Sequence, residues 1–327
     1  MTRHSHPNSD PNVHIVPHLT GTSQARSDSQ LAGSAGVLLV ALGAALWGTD
    51  GVLRQPLTRS LDSLAIVLYE HLIFSLVAVP ALIVLWKELR DMKARHWLAI
   101  LGISWGGSAL ATVLFTEAIS RGNVNTAILL QKAQPLFTFL LAGPVLGERL
   151  KRRHWGYLAL GIAGAWLVSF GDHSLLAPLS RVEITTALLA LGASALWGSS
   201  TVLGRLLSQR FSFVTITSLR FVVALPLLFM VSILRGVPLP ALTPAQFWRV
   251  AAIGLIPGLA ALLLYYRGLR STPAATAAIA ELAFPATALV LNWTFLNQRP
   301  AAIQLAGFAI IWFVVWRIQR GSIQLGL

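Results

Sequence analysis

A lysine lies deep inside one of the most apolar stretches of this sequence. Residues 124–147 read VNTAILLQKAQPLFTFLLAGPVLG, with Lys132 between Gln131 and Gln134 and just before Pro135. If a helix begins at residue 124, Lys132 lies roughly 12 Å below the membrane surface. Insertion of a lysine at a helix centre costs about 2.5 to 3.5 kcal/mol. The sequence therefore predicts a partner or a use for this charge.

The same stretch predicts a polar helix face at membrane depth. On a helical wheel, Gln134 and Pro135 fall within about 60° of Gln131. These groups could bind a substrate or couple an ion, but Gln side chains also join helices by hydrogen bonds in membranes, which is the structural alternative. Pro135 and Pro285 each free a backbone carbonyl one turn earlier, so both are predicted hinges.

Glu281 is the matching acidic residue in the second half of the chain. Small residues surround it on the helical wheel, which permits close helix packing or leaves a cavity. If the helices that carry Lys132 and Glu281 meet at the centre of the protein, the two side chains could pair. We therefore predict a Lys132–Glu281 ion pair as part of a substrate-binding or coupling site.

Two further intramembrane charges are site candidates. Glu70 and Arg220 differ by 150 residues and fall inside apolar runs. Glu70 could take up protons from outside, and Arg220 could hold an anionic group of a substrate. The structural alternative for Arg220 is an ion pair with a buried acid. The nearby polar residues Asp50, His71 and Glu117 are left undecided between function and structure.

Composition indicates what must position these residues. The chain is 55% hydrophobic and 11% charged, with a mean hydropathy of +0.68, whereas a soluble domain is about 25% charged. We therefore predict an all-α integral membrane protein in contact with lipid. The net charge of +13 falls in short loops, which favours a role in membrane topology over nucleic-acid binding. There is no cysteine, which excludes disulfides and cysteine-ligated metals.

Ten runs have the length and apolarity expected of a transmembrane helix. They are 34–53, 64–86, 97–119, 124–142, 154–170, 184–206, 213–234, 247–268, 274–295 and 301–318. Residues 1–33 are polar and predicted to be a disordered tail. The runs form two five-helix units at 34–171 and 184–319.

Basic residues predict the orientation of the chain. If the tail is cytoplasmic, the inner set is Arg3, Arg26, Lys87, Arg90, Lys93, Arg95, Arg149, Lys151, Arg152, Arg153, Arg205, Arg210, Arg267, Arg270, Arg317 and Arg320. The outer set is Arg54, Arg59, Arg121, Arg181, Arg235, Arg249 and Arg299. Sixteen against seven predicts that both termini face the cytoplasm, in a cytoplasmic membrane.

The two halves repeat each other at an offset of 150 residues. The motif Leu-Trp-Gly occurs at 46–48 and 196–198, and the offset also relates Pro135 to Pro285 and Trp166 to Trp316. Because each unit holds an odd number of predicted helices, the second must enter the membrane from the opposite side. We therefore predict inverted repeats, a frequent architecture of secondary transporters with the substrate site near the midplane.

These features resemble the EamA family of the drug/metabolite transporter superfamily. The resemblance is carried by the ten runs, the two Leu-Trp-Gly motifs, the two prolines and the Leu-Gly-Glu-Arg turn at 146–149. It covers about 37–319 and implies a carrier that works by alternating access without a cofactor. The second half has Asn297-Gln298 in place of Gly147-Glu148. We interpret Glu148 as a helix-end partner of Arg149 or Arg152.

The resemblance implies that the substrates are amino acids or similar small metabolites. We therefore predict a secondary transporter, and an exporter, of such compounds, with proton coupling. The alternative from another class is an intramembrane enzyme that acts on a lipid-linked substrate with buried acid-base groups. The repeated halves and the lack of a nucleophile or metal motif favour the transporter.

Overall fold

The protein is represented by a computed structural model that describes residues 35–121, 127, 131, 133–148, 152–170, 181–296 and 302–323. Within these ranges every regular element is helical and there is no strand. The predicted tail 1–33 and Lys132 lie outside the described residues. The Lys132–Glu281 pair therefore stays a prediction.

Long apolar helices dominate the described part of the chain. In order they are α1 (Ala35–Arg59), α2 (Ser63–Val84), α3 (Ala94–Arg121), α4 (Gln134–Leu146), α5 (Arg152–Phe170), α6 (Arg181–Ser208), α7 (Phe213–Leu234), α8 (Pro244–Leu269), α9 (Ala274–Ala280 and Ala283–Leu296) and α10 (Ala302–Ile323). Within the described ranges, six are long and apolar enough to cross a membrane: α1, α2, α3, α6, α7 and α8. Leu76 and Ile233 are 76% and 77% exposed, a surface suited to lipid rather than water.

Helix starts are fixed by caps that recur 150 residues apart. Asp62 caps α2 by accepting from Leu64 N at 2.8 Å, and Ser212 caps α7 by accepting from Thr215 N at 3.1 Å. The same spacing separates the starts of α3 and α8. There Lys93 N donates to His96 Nδ1 at 3.1 Å and Thr243 N donates to Gln246 Oε1 at 2.9 Å. Each bond satisfies an N–H near a helix start that would otherwise lack a partner.

Several helices depart from regular α geometry near their centres. α3 contains a π-helical segment at Gly102–Leu110, and α8 contains one at Gly254–Ala260. α9 is broken at Glu281 and Leu282, one turn before Pro285. This is where the missing N–H of Pro285 was predicted to free a carbonyl. Pro135 instead lies in the first turn of α4, a position that tolerates proline.

Two glycines of the repeated Leu-Trp-Gly motifs bring helices into backbone contact. A Cβ on Gly48 in α1 would lie 2.8 Å from Thr287 Cβ in α9. A Cβ on Gly198 in α6 would lie 2.8 Å from the Gln134 carbonyl oxygen and from Phe137 Cβ in α4. A larger residue would clash in both places. The glycines therefore place α9 against α1 and α4 against α6.

Glu148 makes a contact that differs from the one predicted for it. Its Oε1 accepts from Ala274 N at 2.8 Å and its Oε2 accepts from Ala275 N at 3.2 Å. The carboxylate thus caps the start of α9, where a negative charge is favourable. The predicted pair with Arg152 is not formed in the structure, and Arg149 lies outside the described residues. Glu148 caps α9 instead of pairing with Arg152 because α9 begins beside the α4–α5 turn and its first N–H groups need acceptors.

Candidate functional site

A cavity lies among α1, α2, α3, α6, α7 and α8 and extends to α4 and α9. It encloses about 1080 Å³ of empty space, counting the part that is open to solvent. Its walls carry seven aromatic side chains, each from a different helix: Trp47, Phe74, Phe115, Trp197, Phe221, Tyr265 and Phe284. The cavity wall therefore carries an aromatic ring from each of seven helices.

The aromatic rings of the cavity wall support one another in pairs. Phe74 and Phe221 stack with ring centroids 3.8 Å apart and an interplanar angle of 22°. Phe115 packs edge-on against Trp197 at 5.3 Å. Such contacts stabilise ring positions beyond simple burial. The wall thus presents rings with little freedom to rotate, which suits a flat ligand.

Arg220 projects into this cavity from α7 and is 8% exposed. Its Nε donates to Ser108 Oγ at 2.6 Å, one Nη donates to the Tyr266 hydroxyl at 2.9 Å, and the other donates to the Gly107 carbonyl at 3.1 Å. All three acceptors are neutral. Among the described residues no carboxylate lies within 4 Å of Arg220. The predicted alternative, a buried acid as partner, is thus not found in the part of the chain that the structure describes.

A second buried arginine, Arg54, also lines the cavity. Its Nε and one Nη each donate to the Asp50 carboxylate at 2.7 Å. Its other Nη lies 2.7 Å from Glu70 Oε1, as an ion pair outside hydrogen-bond geometry, and donates to Thr116 Oγ1 at 3.2 Å. The first predicted span ended at residue 53, before Arg54, but Arg54 lies within α1 and is 3% exposed. Asp50 and Glu70 stabilise the cation inside α1, which no count of loop charges detects.

Glu281 is held by side chains from three helices. Its Oε2 accepts from Gln134 Nε2 of α4. Its Oε1 accepts from the Tyr265 hydroxyl of α8 at 2.8 Å and from Thr201 Oγ1 of α6 at 3.2 Å. The break in α9 directs Glu281 toward these donors. Hydrogen bonds to a charged group are stronger than neutral ones, so this network fixes the carboxylate in place.

A small cavity next to the large one joins α4 to α9. It is lined by Trp47, Gln131, Gln134, Pro135, Glu281, Leu282 and Phe284. Trp47, Gln131, Gln134 and Phe284 also line the large cavity. The Oε1 atom of Gln131 is buried and has no hydrogen-bond partner among the described residues. The polar face predicted on the fourth helix therefore does face the central space and meets Glu281.

A family model for EamA-like transporters matches the chain twice, at residues 34–170 and 184–318. Together the two matches cover most of the sequence. The chain belongs to the EamA-like transporter family. This confirms the resemblance read from the sequence, and it identifies the protein as a multi-pass membrane transporter of a small molecule rather than an enzyme.

Similar EamA-like proteins include two that are named for a substrate. The riboflavin transporter ImpX of Fusobacterium nucleatum is 30% identical over 296 residues, 87% of this chain and 97% of that protein. A riboflavin transporter of Rhizobium johnstonii is 27% identical over 69% of this chain and 67% of that protein. The uncharacterized transporter YwfM of Bacillus subtilis is 27% identical over 84% of this chain and 90% of that protein.

The fold is shared with a solved structure. A protein of known crystal structure superposes with a TM-score of 0.69 at 18% identity, covering 88% of this chain and 95% of that one. At this identity the likeness speaks for the fold alone.

Most of the site residues predicted from the sequence line the two cavities, and their roles stay predictions. The candidates Gln131, Gln134, Glu281, Glu70 and Arg220 all line one of the two adjoining cavities. Pro135 lines the small cavity, and Pro285 follows the break that positions Glu281.

Other site residues carried a weak sequence signal or none. Tyr265 and Thr201 are uncharged residues in apolar helices, so their contact with Glu281 could not be predicted. Trp47 and Trp197 were visible only as members of the Leu-Trp-Gly repeat. That repeat was used as a sign of duplication, although both of its indoles line the cavity.

Proposed function

We propose that the protein is a secondary carrier that works by alternating access, built from ten spans in two inverted five-helix repeats with the cavity between them. Elements 150 residues apart support this. The caps at Asp62 and Ser212, the π-helical segments of α3 and α8, and the contacts of Gly48 and Gly198 all occur in such pairs. The substrate site then lies near the midplane, between the repeats.

Closure at one end supports alternating access. Glu148 caps α9, and Arg205 donates to the carbonyl oxygens of Leu269 at 2.6 Å and of Arg270. Ala142, Val202 and Ala274 form a buried apolar cluster in the same place. None of these residues lines the cavity, which extends instead toward Asp50 and Arg54. We assign the closed end to the cytoplasm, on the basis of the positive-inside prediction.

The substrate that the cavity fits best is riboflavin or a similar flat heteroaromatic compound. The observation that carries this proposal is the aromatic lining, with one ring from each of seven helices around a cavity of about 1080 Å³. Flat rings bind well between aromatic side chains, which lose little entropy on binding. Two similar proteins named as riboflavin transporters lend it support. Amino acids are the second candidate, because the guanidinium of Arg220 fits a carboxylate.

Transport by the purified protein in proteoliposomes tests this assignment. We expect saturable riboflavin flux that falls at least tenfold in Trp47→Leu, since that indole lines both cavities. Trp248→Leu is the matched control, because Trp248 is 69% exposed and outside the cavity. Saturable amino-acid flux without riboflavin flux would instead support the second candidate. Absence of flux for both would contradict the carrier proposal for these substrates.

The same vesicles test direction and coupling. We propose export driven by protons, with Glu70 and Glu281 as the acidic groups that could carry a proton across. In right-side-out vesicles with an acidic exterior, we expect the proton gradient to lower the accumulation of substrate inside, because proton influx drives export, and a protonophore to abolish that fall. Equal accumulation with and without the proton gradient would contradict the proposal of proton coupling. Flux that is faster inward than outward at matched gradients would remove the export assignment.

A further inference from the structure

Arg220 has hydrogen-bonding capacity that its protein neighbours do not use. A guanidinium carries five N–H groups. In the described part of the chain, three of them have acceptors: Ser108 Oγ, the Tyr266 hydroxyl and the Gly107 carbonyl oxygen. One N–H group on each terminal nitrogen is left over. Because Arg220 lines the cavity and is 8% exposed, a ligand is the natural acceptor for these two groups.

His71 supplies an acceptor in the same cavity. Its Nδ1 lies 2.8 Å from the Val67 carbonyl oxygen, which can only accept a hydrogen bond. Nδ1 therefore carries the hydrogen, and Nε2 of the neutral ring holds a lone pair. Among the described residues Nε2 has no partner, although His71 is 2% exposed and lines the cavity. A ligand N–H or O–H group could satisfy it.

A hydroxyl without a partner completes the group. Ser200 is 3% exposed and lines the cavity, and its Oγ has no partner in the described structure. A Cβ placed on Gly107 would lie 1.9 Å from Ser200 Oγ and 3.4 Å from an Arg220 Nη atom. These two polar groups therefore converge at Gly107. The Gly107 carbonyl is occupied, because it accepts from the Trp197 indole at 2.8 Å as well as from Arg220.

The hydrogen-bonding groups of these three side chains indicate which part of a ligand they could bind. We propose that Arg220, His71 and Ser200 form a subsite for the edge of a flat heterocycle in which an N–H lies between two carbonyl oxygens, as in a cyclic imide or ureide. The carbonyl oxygens accept from Arg220 and Ser200, and the N–H donates to His71 Nε2. The aromatic rings hold the faces of the heterocycle. The proposal rests on the proposed carrier function and names what its cavity recognises.

A carboxylate matches this subsite less well. It would accept from Arg220, but it has no hydrogen for His71 Nε2, and it would place its negative charge beside that lone pair. A buried acceptor left unpaired costs about 1–3 kcal/mol. The imide edge satisfies the donor and the acceptor together. The pyrimidinedione ring of riboflavin carries such an edge, whereas an amino acid does not.

Binding measurements with N-methylated ligands test the subsite. Quenching of tryptophan fluorescence in the purified full-length protein would be followed during titration with riboflavin, lumazine and their derivatives methylated at the imide nitrogen. We expect methylation to weaken binding at least tenfold, the effect of about 1.4 kcal/mol. In His71→Ala the parent compounds should bind more weakly, while the affinity for the methylated compounds should change little. The preference for the parent compounds over the methylated ones should therefore be lost. Arg220→Lys should weaken parent and methylated compounds alike.

Controls separate recognition from folding and from the proposed function. His96→Ala is the matched variant, because His96 is also 2% exposed but does not line the cavity; it should keep the full preference. Equal affinity for parent and methylated compounds in the wild type would overturn the subsite while riboflavin transport could still stand. Lumazine binding with the preference intact, but no riboflavin binding, would keep the subsite and overturn riboflavin as substrate. No binding of any imide compound would overturn the subsite.

Discussion

Two buried arginines in the same cavity have opposite surroundings. Arg54 contacts two carboxylates, those of Asp50 and Glu70, whereas Arg220 contacts three neutral acceptors in the described structure. A buried charge is tolerated when it is paired, and an unpaired one is expensive. The Arg54 cluster is therefore balanced in charge within the protein, whereas the charge of Arg220 has no carboxylate partner among the described residues. We propose that the first arginine stabilises the fold and that the second recognises a substrate.

Removal of Arg54 should have the largest effect on stability. Arg54→Ala leaves the buried Glu70 and the half-buried Asp50 without a counter-charge, and breaking a buried pair in this way costs about 3–5 kcal/mol. We expect a large fall in the unfolding midpoint in detergent, measured by differential scanning fluorimetry. Arg121→Ala is the matched control, because Arg121 forms an i, i+4 pair with Glu117 but is 56% exposed. Such surface pairs contribute about 0–1 kcal/mol. Similar unfolding midpoints for Arg54→Ala and Arg121→Ala would mean that the buried Arg54 cluster contributes no more to stability than an exposed ion pair.

Removal of Arg220 should mainly affect transport. Arg220→Ala deletes the cation and leaves no buried charge behind, so we expect a fall in flux of about 100-fold with a smaller stability loss than in Arg54→Ala. Arg220→Lys should fail as well, since an ammonium lacks the planar fork of donors. Proteoliposome flux and the unfolding midpoint, measured on the same preparations, check this. An Arg220→Ala variant that is less stable than Arg54→Ala, or that transports normally, would contradict the distinction between the two arginines.

The network around Glu281 should show an intermediate effect. Tyr265→Phe removes one donor to the carboxylate and keeps the ring that packs 5.1 Å from Trp47. A hydrogen bond to a charged group contributes about 1.5–3 kcal/mol, so we expect a roughly tenfold fall in flux with the fold intact. Tyr157→Phe serves as control, because Tyr157 lies outside both cavities. Equal flux in the two variants would show that the Tyr265–Glu281 hydrogen bond does not contribute to transport.

Loss of the Glu148 cap should have the smallest effect. Glu148→Gln keeps the size of the side chain but weakens the bonds to Ala274 N and Ala275 N, and a cap contributes about 0.5–2 kcal/mol. We expect a small fall in the unfolding midpoint and easier opening of that end. Accessibility of a cysteine introduced at Val202 to a thiol reagent added from that end reports the opening. An unchanged labelling rate would mean that the cap is not part of the closure.

The sequence predicted the Glu281 side of the site because the repeat made two positions comparable. The offset of 150 aligned Gln131 with Glu281 and Pro135 with Pro285, and the structure brings Gln134 into contact with Glu281. Proline chemistry also predicted a hinge at Pro285, and the structure has a break in α9 one turn before it. Local rules were sufficient here, because proline chemistry and capping act within one turn.

The Arg54–Glu70 contact was missed because it is long-range, unlike the i, i+4 pair of Arg54 with Asp50. An arginine near a helix end usually lies in a loop, so Arg54 was counted there. Only packing of α2 against α1 brings Glu70 within 2.7 Å of it. The same limit applies to Glu148, whose acceptor role depends on a helix start 126 residues away. A single sequence carries no sign of which distant N–H groups or charges will become neighbours.

The glycine contacts described above also constrain how the molecule can move. Gly48 and Gly198 bring α1 against α9 and α6 against α4 with no side chain between the backbones. Sliding either pair by one residue would drive a side chain into a carbonyl or a Cβ, so each pair moves as one rigid body. Under the proposed alternating-access mechanism, opposite ends of the cavity open by tilting of these coupled pairs. Glu281 on α9 and Gln134 on α4 belong to different pairs, so their hydrogen bond joins two moving parts.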